Sequence, residues 1–134
     1  MKAKTENIDI KNNLKNKVEK ITEARVLVIG DLMLDKFTYG DVIRISPEAP
    51  VPVLHVNHEE SYLGGAGNVA RNISALLENS YKGKVGIIAV IGKDKSTDSI
   101  IEEMNRCNIS KAGIITDESR KTITKTRIVA GNQQ

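Results

Sequence analysis

The apolar residues of this chain fall into short aliphatic runs separated by segments with helical spacing. Residues 25–30 and 84–92 are nearly continuous aliphatic runs that end in glycine, and 112–116 is a weaker run of the same kind. Such runs are typical of strands buried on both faces of a parallel sheet. Between them, apolar side chains recur every three or four residues at 66–79 and 96–107, which predicts two helices. Strands that alternate with helices indicate an α/β fold with a parallel sheet.

Two segments depart from this alternation. Residues 37–57 contain all three prolines of the chain, and proline cannot donate to the ladder of a central strand. We therefore predict two short exposed strands, near 37–44 and 51–57, joined by a stiff proline turn. The β-branched run at 122–130 predicts another strand. Together these segments predict a small sheet standing away from the main one.

The first 24 residues form a polar lead-in before the domain at 25–134. Leu14, Val18 and Ile21 recur at helical spacing, which predicts a short amphipathic helix. Its apolar stripe is narrow, and we expect it to pack onto the edge of the domain.

Composition narrows the class of protein. The length of 134 residues suits one domain, and the core must be aliphatic because the chain has one Phe and no Trp. The net charge of +3 is weak and its lysines are concentrated early in the chain, which favours a solvated helix face over a nucleic-acid surface. No apolar run approaches membrane-spanning length, and no secretory signal is visible. We expect a cytoplasmic protein with neither nucleic acid nor membrane as a partner.

Several reactive residue types have ordinary structural interpretations. Cys107 is the single cysteine, which excludes an internal disulfide, and we expect a half-buried thiol near a helix end. His55 and His58 lack the companions of a metal site. Asp94 and Asp98 flank the start of the second helix and are expected to act as caps.

Two aspartates follow the first aliphatic strand. Asp31 and Asp35 lie just past its end, where open α/β sheets bind their ligands. A carboxylate there can accept hydrogen bonds from the hydroxyls of a polyol. For Asp31, a turn or capping role is an equally good interpretation.

The glycine-rich turn at 63–68 formally fits a dinucleotide-binding fingerprint. The segment before it, 58–62, is polar instead of a buried strand, and no acid closes the following strand as that fingerprint requires. Gly64 and Gly65 instead allow the backbone to approach a ligand closely, and the helix that follows presents free N–H groups. Asn68 can donate to and accept from sugar hydroxyls. A simple helix-starting turn remains the alternative.

Two cations alternate along the last strand. Lys125 and Arg127 are expected on one face, where an anion such as a phosphate would relieve their repulsion. A solvated strand face is the alternative. Arg44 is a third cation that could join them from the proline-bearing segment.

Taken together, the segments 30–35, 44–53, 63–72 and 122–127 resemble the ribokinase-like, PfkB-type carbohydrate kinases. The segments 44–53 and 122–127 are most similar to the bacterial kinases that phosphorylate D-glycero-D-manno-heptose 7-phosphate at O1. These kinases act in ADP-heptose and lipopolysaccharide core synthesis. In many bacteria that kinase is one domain of a bifunctional protein. The resemblance runs from about residue 25 to the end.

The resemblance implies a sugar site and a lid. Asp35 matches the aspartate that holds sugar hydroxyls, and Gly64, Gly65 and Asn68 match the glycine motif that binds the substrate. The segments 37–57 and 122–130 match the lid, which in this family closes over the sugar and often forms a homodimer. Lys125 and Arg127 then become candidates for the 7-phosphate of the heptose.

One part of the family pattern is absent from this sequence. The kinases carry an Asp-Thr-x-Gly-Ala-Gly-Asp signature in their C-terminal half, which supplies the catalytic base and an anion hole, and ATP and Mg²⁺ bind with it. We therefore expect the N-terminal part of a three-layer kinase domain, with no catalytic residue, no metal site and no cofactor of its own. Two helices alone would also leave one face and one edge of the sheet uncovered.

Two other functions remain open at this stage. A non-catalytic sugar-phosphate-binding or dimerisation module would keep the pocket and the lid. A fragment of a nicotinamide-dependent oxidoreductase rests only on the glycine spacing.

Overall fold

Among the residues that the structure describes, there are two three-stranded sheets and two complete helices, with a further helical segment at 13–18. The computed structural model describes residues 13–18, 20–77 and 84–131. In chain order the elements are a 3₁₀ turn (Lys20–Glu23), β1 (Val26–Ile29), β2 (Leu32–Ile45), β3 (Pro52–Gly65), α1 (Ala66–Leu76), β4 (Val85–Ile91), α2 (Lys95–Arg106), β5 (Ile109–Thr116) and β6 (Thr124–Ala130).

The main sheet is parallel, as the alternation of strands and helices predicts. Its order is β1-β4-β5, and β4 pairs in parallel with both neighbours. One face of β4 carries residues that are at most 4% exposed and that join α1 and α2 in a single core: Val85, Ile87, Ala89 and Ile91. The aliphatic composition of this core agrees with the shortage of aromatic residues.

The opposite face of the main sheet is open to solvent. Leu27 and Ile29 are 59% and 72% exposed. On the same face, Val90 and Ile115, which pair with each other across β4 and β5, are 39% and 56% exposed. The prediction that these aliphatic strands are buried on both faces is therefore wrong for this structure. The expectation that two helices leave one face uncovered is confirmed.

The second sheet is the predicted small sheet, with strand order β3-β2-β6. Strands β2 and β3 are antiparallel, and β2 and β6 are parallel. The predicted proline turn joins β2 and β3 at residues 46–51, and Pro52 takes the first position of β3, where no donor to the ladder is required.

The two strands of this hairpin are much longer than predicted. Each has 14 residues, so Asp35 and the polar segment 58–62 lie within strands. Leu32, Leu34 and Leu63 explain the extension, because all three are at most 3% exposed and belong to the main core. The hairpin therefore begins inside the domain and extends outward. We refer to the sheet of β2, β3 and β6 as the lid.

The helix predictions agree with the structure apart from their boundaries. Helix α1 ends at Leu76, and residues 78 and 79 of the predicted helix lie outside the described residues. Residues 13–18 are helical, but Leu14, Val18 and Ile21 are 58%, 66% and 48% exposed. The expected packing of that stripe onto the domain is therefore wrong, and residues 1–12 of the lead-in lie outside the described residues.

Asp94 caps α2, as expected, and also fastens the lid to the main sheet. Its Oδ1 accepts from the backbone N–H groups of Ser96 and Thr97 at 2.9 and 3.3 Å. Its Oδ2 accepts from the backbone N–H of Thr122 at 2.9 Å, two residues before β6. The same carboxylate thus fixes the start of a helix and the entry to the last lid strand.

We expect Asp94→Ala to lower the melting temperature by about 5 °C or more, since it removes a helix cap and leaves the Thr122 N–H without its acceptor. Thermal unfolding followed by circular dichroism measures this. Asp98→Ala, which removes an exposed acid from the same helix turn, should have a much smaller effect, and equal effects of the two changes would contradict the double role.

The stabilising effect of Asp94 should depend on pH. The Thr122 backbone N–H, with further donors from Thr97 and Ser96, lowers the pKa of Asp94 below its ordinary value of 3.8. A lowered folded-state pKa stabilises the fold fully above pH 3.8 and progressively less as the pH falls through the folded-state value. The difference in melting temperature between the wild type and Asp94→Ala should therefore shrink below about pH 4.

Candidate functional site

The two candidate residues Asp35 and Gly64 lie side by side on one face of the lid. Asp35 is on β2, paired with Tyr62, and Gly64 pairs with Met33. A Cβ atom at Gly64 would stand 2.9 Å from Asp35 Oδ2 and 2.8 Å from Met33 Cγ. The missing side chain at Gly64 therefore lets the Asp35 carboxylate and the Met33 side chain pack directly against the backbone of β3.

Asp35 is held by a cation from the other end of the chain. Arg127 Nη1 donates to Asp35 Oδ1 at 3.1 Å, and the side chains are 40% and 25% exposed. The Arg127 guanidinium also lies over the Phe37 ring, 4.9 Å from its centroid. Arg127 thus orients Oδ1, and Oδ2 lies against the backbone of Gly64.

The backbone at Gly65 has a conformation that glycine alone adopts readily. Its φ and ψ are 57° and −129°, and a Cβ atom would collide with the backbone oxygen of Asp31. The N–H of the next residue, Ala66, donates to that same Asp31 oxygen at 2.8 Å. Asp31 thus holds the turn through its backbone, while its side chain is exposed.

Helix α1 begins directly at this turn, as predicted. Gly65 is its N-cap residue and has no side chain to cap the first turn, so N–H groups of that turn are available to a ligand. Gly67 packs against Leu32 and Leu63, where a Cβ atom would stand 2.5 and 2.9 Å from their side chains. Gly67 is therefore a packing glycine, whereas Gly64 and Gly65 shape the site.

Asn68 lies in the first turn of α1 and is exposed. Its Oδ1 accepts from Arg71 Nη2 at 3.1 Å. This contact sets the orientation of the Asn68 side-chain amide and therefore of its N–H donors. The Arg71 guanidinium lies 5.4 Å from the centroid of the Tyr62 ring. Because Tyr62 is the cross-strand partner of Asp35, Asn68 and Asp35 are linked through Arg71 and Tyr62.

The cations of the last strand lie as the alternation predicts. Lys125 pairs with Asp35 and Arg127 with Phe37 across the β2–β6 ladder, so both side chains share the face of Asp35. Lys125 is exposed and takes part in none of the ion pairs among the described residues. Arg127, in contrast, has Asp35 as its anion.

Arg44 does not join this group. It lies nine positions from Asp35 along β2, which corresponds to roughly 30 Å of extended strand. It is exposed near the proline turn and pairs with Val53. The idea of a third cation from the proline-bearing segment is therefore wrong.

The sequence analysis missed an aromatic cluster around the site. Phe37 stacks on Tyr39 at 6.3 Å and meets Tyr62 edge-on at 6.0 Å, and Tyr39 stacks on His58 at 4.5 Å. Positions 35, 37 and 39 alternate along β2, so strand periodicity could have revealed that Phe37 and Tyr39 share the face of Asp35. These rings form an apolar surface on the face that carries Asp35.

Cys107 is a half-buried thiol at the C-cap of α2, as expected. Burial raises the pKa of this thiol, the nearby Glu103 adds to the effect, and Arg106 and Arg71 oppose it. A raised pKa disfavours the thiolate, so Cys107 is not an activated nucleophile.

Among the described residues, no group of three or more His, Cys, Asp or Glu side chains could hold a metal ion. None of the helices in this part of the chain is long and apolar enough to cross a membrane. The groups that the second sheet and α1 contribute here are a carboxylate, an amide, cations and the N–H groups at the start of the helix.

Comparison with known proteins places this fold. Residues 23–134 match the sequence pattern of the pfkB family carbohydrate kinases. The chain is 47% identical over 111 residues to a bifunctional protein HldE from Caulobacter sp. (strain K31), and 46% identical over 110 residues to one from Helicobacter pylori (strain G27). These alignments cover 83% and 82% of this chain but 22% and 23% of the relatives. The chain thus spans less than a quarter of their length.

Solved structures agree on the fold. A carbohydrate kinase from Agrobacterium tumefaciens superposes with a TM-score of 0.60 at 24% identity, over 80% of this chain and 32% of that one. A ribokinase from Thermotoga maritima gives 0.58 at 20% identity, over 83% and 34%. The α/β ribokinase-like fold is shown, over about a third of each kinase. Sequence and fold agree that this chain belongs to the pfkB family of carbohydrate kinases.

Proposed function

We propose that this chain is the sugar-binding and lid part of an ATP-dependent kinase that phosphorylates D-glycero-D-manno-heptose 7-phosphate at O1. The observation that carries the proposal is the position of the Asp35 carboxylate, which lies against Gly64 beside the glycine turn that begins α1. The substrate class and the link to ADP-heptose and lipopolysaccharide core synthesis are what the resemblance of the segments 44–53 and 122–127 to heptose 7-phosphate kinases implies. The identity of 41–47% to bifunctional proteins named HldE supports this choice within the family.

Each candidate residue has a role that its position supports. The Asp35 side chain is a quarter exposed, and its Oδ2, which lies beside Gly64, would accept hydrogen bonds from sugar hydroxyls. Gly65 brings the backbone close, and Asn68 supplies an amide beside the first turn of α1. Hydrogen bonds between hydroxyls and a charged carboxylate are the stronger kind, so Asp35 should contribute most to sugar binding.

The 7-phosphate of the sugar would be bound by Lys125 and Arg127. Arg127 uses Nη1 to hold Asp35, and a guanidinium has five N–H donors, so further donors remain for a phosphate oxygen. Lys125 lies beside Asp35 in the ladder register and is exposed. An anionic group here would offset the positive charge that Lys125 adds beyond the Asp35–Arg127 pair.

Phosphoryl transfer would require the rest of a kinase domain. ATP and Mg²⁺ are expected in the complete enzyme, together with a positioned base and a phosphate cradle, and the described residues hold no metal site. The open apolar face of the main sheet supports this division, because exposed aliphatic patches mark surfaces that another structure covers. We infer that the remaining part of the kinase covers Leu27, Ile29, Val90 and Ile115.

The outer part of the lid would form a homodimer. Its apolar side chains are 47–69% exposed among the described residues: Val42, Ile43, Ile45, Val51, Val56 and Ile128. They occupy two lid strands, the turn beside them and β6, and pairing with a second lid would remove this area from water. A non-catalytic binding or dimerisation module would use the same surfaces, so activity separates the two functions.

We expect the isolated chain to bind heptose 7-phosphate and not to phosphorylate it. Calorimetric titration without ATP should give saturable binding, and incubation with Mg-ATP should give no product above a control without protein. Failure of the folded chain to bind the sugar phosphate would contradict the binding role. Turnover above the control would contradict the inference that the rest of the kinase is required.

A further inference from the structure

We propose that Arg71 is a specificity-determining residue of the sugar site and that its guanidinium recognises an anionic group, a phosphate, on the bound sugar. The inference rests on the proposed function, because it concerns the same site. It adds a residue from α1 to the two cations of β6.

Arg71 is in contact with both sides of the site. Its Nη2 donates to Asn68 Oδ1 at 3.1 Å, one helical turn earlier on α1. Its guanidinium carbon lies 5.4 Å from the centroid of the Tyr62 ring, and Tyr62 is paired with Asp35 on the lid. Arg71 therefore bridges the helix that carries Asn68 and the strand next to the carboxylate.

The charge on Arg71 is not balanced by these contacts. The hydrogen bond goes to an uncharged amide, and no ion pair among the described residues includes Arg71. Arg127 differs, since the Asp35 carboxylate is its partner. On the Tyr62 side, the Glu60 carboxylate accepts from the phenol hydroxyl at 2.8 Å. Arg71 thus presents a half-buried positive charge with unused donors.

The surroundings of Arg71 also fix its direction. Stacking on an aromatic face and a hydrogen bond to a neighbouring amide hold the planar guanidinium in place, so less side-chain freedom is lost when a ligand binds. A fixed guanidinium binds the two oxygens of a phosphate as a fork. Lysine keeps the charge but not this geometry.

A purely positioning role makes a different prediction. If Arg71 only orients Asn68, its loss should weaken binding of every sugar that Asn68 contacts, with or without a phosphate. If Arg71 contacts the phosphate, its loss should weaken binding of the phosphorylated sugar alone.

The test compares D-glycero-D-manno-heptose 7-phosphate with the same heptose lacking phosphate, by titration calorimetry on the wild type, Arg71→Gln and Arg71→Lys. We expect Arg71→Gln to weaken binding of the sugar phosphate by about 10- to 100-fold and to leave binding of the free heptose within about twofold, as expected when a charge-assisted bond is removed. Arg71→Lys should lie between the wild type and Arg71→Gln. Arg25→Gln removes the same charge before β1, at the opposite end of the main sheet, and should change neither affinity.

Equal losses for both sugars, or no loss for the sugar phosphate, would overturn the inference. Melting temperatures of the variants show whether each is folded. A folded wild-type chain that binds neither sugar would overturn the proposed function itself, so that failure is distinct from a failure of Arg71 alone.

Discussion

Gly65→Ala is expected to destabilise the fold more than other single changes in the glycine turn. At φ 57° and ψ −129°, a residue with a Cβ atom carries a strain of roughly 1–3 kcal/mol. The new methyl group would also collide with the backbone oxygen of Asp31, which cannot move without breaking the Ala66–Asp31 hydrogen bond. Because domains are stable by only about 5–15 kcal/mol, we expect a large drop in unfolding free energy, measured by urea titration.

Gly131→Ala is the matched control for this change. Gly131 also has a positive φ, of 69°, but a Cβ atom there would meet nothing within 4 Å. The Gly131→Ala change therefore tests the strain of a positive φ alone, without a collision between the new methyl group and the backbone. A loss at Gly131 as large as that at Gly65 would show that the approach of the turn to Asp31 is not the cause.

Asp35→Ala is expected to weaken sugar-phosphate binding by about 10- to 100-fold, the range for loss of hydrogen bonds to a charged group. The change removes the acceptor beside Gly64 and leaves Arg127 without its carboxylate. Calorimetric titration of heptose 7-phosphate measures the loss. In this variant Arg127 has lost its Asp35 partner and can use all of its donors on the phosphate. This gain offsets part of the loss and limits the measured decrease in affinity.

Glu59→Ala is the matched control for Asp35→Ala. Glu59 also lies on the lid and pairs with a cation, Lys36, at 2.9 Å. Strand alternation places it on the face opposite Asp35. It should leave sugar binding within about twofold of the wild type, the size of an exposed ion-pair effect. A loss equal to that of Asp35→Ala would mean that lid stability, and not the carboxylate itself, controls binding.

The sequence predicted the elements of this fold well, because each left a local pattern. The aliphatic runs became β1, β4 and β5, and the prolines marked the turn between the lid strands. Strand lengths were underestimated, because the polar residues 58–62 concealed a strand that runs on to Leu63. The burial of Leu63 depends on α1, which follows β3 in the chain. A pattern read over a few residues does not show that packing.

The site was harder to predict, because its contacts join distant positions. Asp35 and Arg127 are 92 residues apart, and their pairing follows from the β2–β6 register, which periodicity does not give. Nothing in the sequence pattern distinguishes Arg71, since arginine is common on helices. Only its place over Tyr62 and beside Asn68 singles it out.

We propose that this chain supplies the heptose-phosphate site of a kinase whose remaining part covers the open face of the main sheet. The most direct test replaces the matching segment of the Caulobacter relative with residues 23–134 of this chain, an exchange between sequences that are 47% identical. The chimera is then assayed for ATP-dependent phosphorylation of heptose 7-phosphate. We predict activity that Asp35→Ala greatly reduces. A folded, ATP-binding chimera that does not phosphorylate this sugar, or does so equally well without Asp35, would contradict the claim.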